Sequence, residues 1–468
     1  MKRKLVALLL ALGLLLPCFA PAALAAETYT IGNPYESVNW NTWDAYKTQL
    51  HVHTNASDGE VPLNEVVEEH YRLGYDILAV TDHMTLGVPW NQAPRTVPIA
   101  RLVKYERTKM QPITPLTDAR RQDIINGVGR NGRGMMEVTQ GVELNGAVPS
   151  NSHLQGFFSD FGQGFIGMNL DYETPVKRAQ KAGGVTVINH IGNTSGAEDG
   201  DENFYDENPE WVDKIGRLFV DYPESCLGMD ISSGTDDGTK YDKILYDKIL
   251  QKLVPNGFLP WSFTYSDAHS PGQFDRAFTI HMMPEKTVPA LRKSMENGTF
   301  FSVSRHARMV KGDDWVGTGA PPAVSKINVN QAAAKITITA SNYDRIVWIS
   351  DGKEIAKGAT LDIAANDSKI GSYVRAYVLG SGGILYVQPF TVFRAGETLE
   401  KQEVCKIFDY SVVLRWICNI FDFLAKPKYT PLWLIKWGMG TFDPYVDLPG
   451  VDWNAVLEVT QPILEALL

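Results

Sequence analysis

Cysteine is nearly absent, with four residues in a chain of 468 (positions 18, 226, 405 and 418) and no Cys-x-x-Cys among them. That excludes a thiolate zinc finger and a disulfide scaffold, leaving Cys405 and Cys418 as the one close pair. Positive charge is also scarce. Forty-four Lys and Arg against 54 Asp and Glu give a formal charge of −10, which argues against a protein that coats nucleic acid by bulk electrostatics. The N-terminal apolar run, Leu5 to Leu16, is too short to span a bilayer comfortably. It follows Lys2, Arg3 and Lys4 and precedes "AALAA" before Glu27, the pattern of a secretory signal over 1–26. An exported, extracytoplasmic mature chain is therefore expected. Removing three positive charges and no negative ones takes its formal charge from −10 to −13.

Hydrophobic content of 44% is ordinary and argues against disorder, and the length suits two or three domains. From Gln49 to His269, short apolar strands alternate with helical stretches: "QLHVHT", "NEVVEEHYRLGY", "DILAVTDH", "MMEVTQGVEL", "TPVKRAQKAGG", "VTVINH" and "GFLPWSFTYSDAH". That alternation predicts an α/β fold with a parallel sheet, closed or doubly wound. "GTGAPPAVSK" then reads as a linker. From Ile327 to Phe393 short alternating strands, with a hairpin signal at Asp351-Gly352, predict a small antiparallel β-sandwich packed beside the first domain. Its Trp348, Tyr373 and Tyr377 could form a carbohydrate platform, although alternating aromatics more often fill a core. The segment 397–468 is helical and apolar on most sides, but Asp409, Arg415, Asn419 and Asp422 make a transmembrane span expensive. A helix packed on the protein is expected, with an interfacial membrane or cell-surface contact as the alternative.

Histidine is scarce as well, and its placement is selective. Of nine histidines, six fall at strand ends beside carboxylates. His51 and His53 lie two residues apart, so both rings project to one face of a strand. Asp58 follows in the loop. His83 ends "TDH", Glu143 ends "GVEL" with His153 beyond it, His190 ends "VTVINH", and Asp267 and His269 end "YSDAH". Six imidazoles and three carboxylates without a thiolate suit Zn²⁺, Mn²⁺ or Fe²⁺. Nine donors exceed what one ion takes, so two or three clustered divalent ions are expected. His70, His281 and His306 read as ordinary. "DGDENFYDE" has the look of a calcium loop, but Phe204 stands where an EF-hand requires glycine.

The stretches "LHVHTNASDG", "ILAVTDH", "GVEL" followed by His153, "AGGVTVINH" and "YSDAH" resemble the PHP (polymerase and histidinol phosphatase) family of metal-dependent phosphoesterases. The resemblance implies a distorted (β/α)7 barrel within 27–316, followed by the sandwich at 317–396. It implies one ion on His51, His53, Glu143 and Asp267, and a second sharing Glu143 with His153 and His190. Asp58, His83 and His269 would hold a third. "NHIG" departs from the His-Pro of many members, and Met84–Met135 is longer than the pattern suggests. The implied reaction is hydrolysis of a phosphate ester by a metal-bridged hydroxide. Asp82 is expected to orient His83 or carry a proton, and Arg276 and Arg305 are the candidate phosphate clamps.

The substrate is then a phosphorylated molecule, either a small ester or the 5′ end of a short oligonucleotide. For the latter, Met84–Met135 carries nine Lys and Arg against three acids; against it, Thr194–Lys243 has fourteen acids and four bases. An amidohydrolase is the alternative enzyme, disfavoured because Glu143 stands where a carboxylated lysine would bridge. A non-catalytic metal-stabilised binding protein is the third reading. No protein partner is inferred.

Overall fold

The computed structural model describes residues 28–97, 101, 108–145, 152–165, 167, 170–197, 200–234, 237–312 and 314–405. The expected signal segment, and the expected apolar tail beyond residue 405, lie outside these residues. Among the described residues no helix is long and apolar enough to cross a membrane.

Strands β1 (Tyr29–Gly32), β2 (Asp44–Gln49), β3 (Ile77–Ala79) and β4 (Met136–Val138) are followed by β5 (Val142–Leu144), β6 (Leu154–Phe157), β7 (Val185–Ile188), β8 (Cys226–Asp230) and β9 (Trp261–Phe263). Strands β5 to β9 form one five-stranded sheet in sequence order. Strands β2, β3 and β4 pair in parallel and extend through the antiparallel β10 (Ala277–Met283) and β11 (Phe300–Ser304).

The expected closed barrel is not formed among the described residues. Ladder pairing stops between the two sheets, and among the described residues only the isolated bridges Val52–Ala268 and His83–Glu143 continue it. Nor is the pairing all parallel, because β6 runs antiparallel to β5 and β7. A physical reason lies in the sequence. "MMEVTQGVEL" does not continue as one strand, because Gln140 takes a left-handed φ of 63° and splits it into β4 and β5. A cluster of Leu50, Ile77, Ala79, Val138, Val187, Leu227 and Phe263 fills the space between the sheets.

The helices follow local signals. In α1 (Leu63–Arg72) the buried Leu63, Val66, Val67, His70 and Tyr71 recur at helical spacing, forming the stripe that packs inward. In α2 (Asp118–Asn126) the Thr117 side chain accepts from Arg120 N, and Gly127 ends the helix at φ 76°. Helices α3 (Glu173–Lys181), α4 (Glu210–Asp221), α5 (Asp242–Leu253) and α6 (Val288–Asn297) complete the frame.

The C-terminal strands are antiparallel and lie in two sheets, as expected of a sandwich: β12 (Ala323–Asn330), β13 (Lys335–Ser341) and β16 (Thr360–Asp362) make the smaller one. Asp351 and Gly352, at φ 49° and 72°, form the hairpin turn between β14 (Arg345–Ser350) and β15 (Lys353–Lys357). The larger sheet is not a separate layer beside the first domain. Strand β18 (Gly383–Val387) pairs with both β17 (Tyr373–Gly380) and β11, so the sheet runs on from the metal-ligand region into the sandwich. The N-terminal β1 closes its far edge against β19 (Phe390–Arg394). Trp348 and Tyr373 are buried and Tyr377 is mostly covered, so they serve the core and offer no exposed platform. The buried Arg375 meets Asp247 of α5 through Nε at 2.9 Å and Nη2 at 2.5 Å, an ion pair that ties α5 to β17.

Candidate metal centre

The two bridges that join the sheets are made by ligand candidates and their neighbours. His83 pairs with Glu143, and Val52 stands between His51 and His53 and pairs with Ala268, between Asp267 and His269. Where the ladder gives out, the backbone bends and its side chains converge. Met84, His190 and Asp267 all have left-handed φ angles, 54°, 25° and 50°. Such conformations cost about 1–3 kcal/mol each and persist where surrounding structure holds them.

All nine candidates meet in one cluster. His51 Nε2 lies 3.0 Å from Asp267 Oδ1 and 3.3 Å from Glu143 Oε1. His53 Nε2 lies 3.1 Å from the same Asp267 oxygen, 3.2 Å from Glu143 Oε2 and 3.1 Å from His51 Nε2. Ligands about 2.0–2.1 Å from a tetrahedral ion stand about 3.3 Å from one another, so these four side chains are spaced as a coordination shell. The other oxygens and rings continue it. Glu143 Oε1 is 3.3 Å from both His153 Nδ1 and His190 Nε2, and Glu143 Oε2 is 3.1 Å from His83 Nδ1. Around Asp58 stand His269 Nε2 at 3.2 Å, His53 Nδ1 at 3.4 Å and His83 Nε2 at 3.7 Å. Three groups could each hold an ion: His51, His53, Glu143 and Asp267; His83, Glu143 and His153; and His53, Asp58, His83 and His269. His83 thus faces two groups through different ring nitrogens, whereas the sequence resemblance gave it to the third ion alone, with Asp58 and His269.

Hydrogen bonding alone leaves this cluster unsatisfied. His51 Nδ1 and Glu143 Oε2 are buried with no hydrogen-bond partner among the described residues, although such groups are costly to bury unpaired. Proton sharing partly compensates. Burial opposes a charge on His51, but Glu143 and Asp267 outweigh it and raise the ring to about 9. His53 is raised well above its ordinary value against the same burial by Asp267 and Glu143. At His83 burial wins over Glu143 and Asp58, and the ring falls to about 3. The carboxyls of Asp58, Glu143 and Asp267 are held far below the ordinary range despite burial, by the facing imidazoles. The donor set, its spacing and its orphaned atoms fit a multi-metal site.

The other candidates separate. Asp82 is buried, and its hydrogen bonds run to the loop ahead of Asp58. Its Oδ1 accepts from Thr54 N at 2.7 Å and Ser57 Oγ at 2.6 Å, and its Oδ2 from Thr54 Oγ1 at 2.7 Å. It therefore anchors the loop that carries Asp58, and among the described residues no hydrogen bond joins it to His83. Arg305 is committed elsewhere, with Nη1 3.6 Å from Asp275 and Nη2 donating to Gly317 O. Among the described residues the Arg276 guanidinium meets a carbonyl, Gly234 O at 3.4 Å, beside the strand end that carries Ser266 and Asp267. Three supporting residues carry no ligand signature of their own in the sequence: Asn189, whose Nδ2 donates to Glu143 Oε1 at 2.8 Å, and Thr54 and Ser57, which bond Asp82. For Asn189 the one available signal was its place directly before His190 at a strand end. His70 and His281 are lone buried rings with ordinary partners, Val66 O at 2.7 Å and Ser294 Oγ at 2.9 Å. His306, also read as ordinary, lies closer to the site, its Nδ1 3.1 Å from the same Gly234 carbonyl that Arg276 meets.

Residues 49–194 match the family model of the PHP domain. The chain carries a PHP domain. The match holds seven of the nine donors; Asp267 and His269 lie beyond it, and the fold brings them to the same cluster. No curated protein sequence matches the chain. Among solved structures, a two-domain protein from Bacteroides vulgatus, described as containing a predicted PHP-like metal-dependent phosphoesterase, is similar at 14% identity and TM-score 0.38, over 76% of this chain and 88% of that one. A lesion-specific endonuclease from Pyrococcus furiosus is similar at 13% identity and TM-score 0.32, over 54% and 56%. An amidohydrolase from Chromobacterium violaceum is similar at 15% identity and TM-score 0.28, over 53% and 96%.

Proposed function

We propose that this chain is an exported metal-dependent phosphoesterase acting on a small phosphate ester. The observation that carries the reading is Glu143, a buried carboxylate whose two oxygens face five of the six clustered imidazoles, the arrangement of a bridging ligand. His51, His53, Glu143 and Asp267 would hold one ion, Glu143 with His83, His153 and His190 a second, and Asp58 with His53, His83 and His269 a third. Bound divalent ions supply Lewis-acid activation of water and neutralise charge on a phosphoryl group. The chain's own residues do the rest. Asn189 and the Asp82–Thr54–Ser57 bonds would fix the carboxylates, and Arg276 would take a phosphoryl oxygen. Export rests on the leader pattern of residues 1–26.

The small ester is favoured over an oligonucleotide by the fate of the basic stretch. Arg120 pairs with Glu68, Arg121 with Glu137, and Arg130 and Arg133 with Asp76. Asp76 precedes β3 whereas His83 follows it, so the last two stand at the strand end opposite the ligands. Four of the nine positive residues are thus committed to ion pairs within the chain and leave less to hold a polyanion.

The test is hydrolysis of p-nitrophenyl phosphate and of a 5′-phosphorylated single-stranded oligonucleotide by Mn²⁺-loaded protein, beside Asp267→Asn. Turnover of the small ester by the wild type alone is expected. Stepwise release of nucleotides would move the substrate to nucleic acid. A protein that binds Mn²⁺ and cleaves neither would sink the phosphoesterase reading.

A further inference from the structure

Strand β8 lies between β7, which leads to His190, and β9, which leads to Asp267, and it ends at the same edge in Asp230. No part of the metal-holding arrangement uses this carboxylate. Asp230 is buried; its Oδ1 accepts from Ser232 N at 2.9 Å, and its Oδ2 meets no hydrogen-bond partner among the described residues. It stands within the electrostatic reach of His51, His190 and Asp267. Two buried tyrosines flank it: Tyr265, whose ring meets His51 edge-on at 6.1 Å, and Tyr386 of β18. Burial lifts Asp230 to about 7, against the lowering pull of Ser232 N, His51 and His190.

His51 has the complementary deficit. Its Nε2 faces Asp267 and Glu143, and its Nδ1 on the far side is buried without a partner. A neutral imidazole that binds an ion through one nitrogen carries its proton on the other, and that N–H needs an acceptor. One buried donor and one buried acceptor, both unpaired and both at this edge, answer each other.

We propose that Asp230 is the positioning carboxylate of the metal centre, accepting the His51 Nδ1 proton directly or through one water and so fixing the ring for metal binding through Nε2. This rests on the metal-holding reading given above. It also gives β8 a part in the site, although its end contributes no ligand. Asp230 touches no reacting atom and acts through His51.

The test compares Zn²⁺ affinity of the full-length wild type and Asp230→Asn by competition with a chelator, and the melting temperature of each after metal removal. Loss of an outer-shell partner typically weakens metal binding about 10–100-fold, and that fall is expected. The metal-free variant should melt at the same temperature or higher, because the amide removes an unpaired buried carboxylate. Wild-type affinity in the variant would overturn the proposal and leave the metal centre standing. Weaker binding with a lower metal-free melting temperature would mean a merely structural role and would also overturn it. If the wild type itself binds no Zn²⁺, the metal reading falls and the proposal with it. Should Asp230→Asn not fold, Asp230→Ser decides on the same terms.

Discussion

The two ends of the same parallel strands are built on opposite principles. At the N-terminal end, Asp76 is saturated: it takes Arg133 at 2.6 and 2.7 Å, Arg130 at 3.4 Å and the Lys47 backbone N–H at 3.0 Å. Arg133 also reaches Ala45 O. At the C-terminal end, six imidazoles and three carboxylates crowd one another, some of their buried atoms have no hydrogen-bond partner, and three backbone positions are left-handed. One end spends its charges on stability. The other keeps them in an arrangement that only added cations complete, which is how a fold marks the place where it works.

Removing the cluster's centre should give the largest effect. Glu143→Gln and Asp267→Asn are expected to lose bound metal, measured by elemental analysis, and to lower phosphoesterase turnover on the order of 10³-fold. Asp76→Ala at the opposite end should leave the metal stoichiometry unchanged. If it strips the metal as completely, the two ends are not independent and the contrast fails.

How much of this was legible follows the same division. Eight of the nine donors could be found because they sit at or just beyond strand ends, where strand periodicity exposes them, and Asp58 because its loop follows directly. The hairpin at Asp351-Gly352 was legible for the same local reason. The break between the two sheets was not, because it depends on Gln140 adopting φ 63°, which glutamine does not advertise. The saturation of the basic stretch was hidden too. Arg130 and Arg133 meet Asp76 across more than fifty residues, and charge counting cannot tell a paired arginine from a free one. The continuity of β11 with β18 is likewise a long-range pairing. For Asp82, adjacency to His83 pointed to the metal centre, while its bonds to Thr54 and Ser57 lie more than twenty residues away and had no local signal.

The stability end can be probed directly. Asp76→Ala strands Arg130, which is mostly buried, and removes several charge-assisted bonds, so urea unfolding should show a loss of about 2–3 kcal/mol. Arg133 is more exposed and contributes less. A loss under about 0.5 kcal/mol would mean that solvent already screens this end.

The lone histidines sharpen the comparison by pH. Burial holds His70 down to about 4 and His281 to about 3. The unfolded chain takes up protons near pH 6.5 that the folded chain refuses. Stability from these rings is therefore complete above about pH 6.5 and is lost as the pH falls toward their folded values, by about 1.4 kcal/mol per unit per ring. Metal-free His281→Gln should show a shallower fall between pH 7.5 and 5.5 in denaturant unfolding than the metal-free wild type. An identical slope would mean that His281 does not titrate in this way.

The smallest expected effect lies at the rim, where two arginines adjacent in space should behave differently. Arg305 N donates to Arg276 O at 2.7 Å, so the two backbones stand side by side. Their side chains diverge. Arg305 is held by Asp275 and Gly317 O, and Asp275 also takes Lys47 Nζ at 2.5 Å. Among the described residues Arg276 has one long bond, to Gly234 O, next to the strand end that carries Asp267. A guanidinium committed to a carboxylate has little left for a phosphate; one resting on a neutral carbonyl can exchange it for a charge-assisted pair. Arg276→Ala should therefore raise KM for a small phosphate ester about tenfold, the equivalent of about 1.4 kcal/mol, with kcat little changed. Arg305→Ala should leave KM within about twofold and act, if at all, on unfolding. Equal KM effects from the two would mean that the rim reads the substrate by general charge, with no guanidinium singled out.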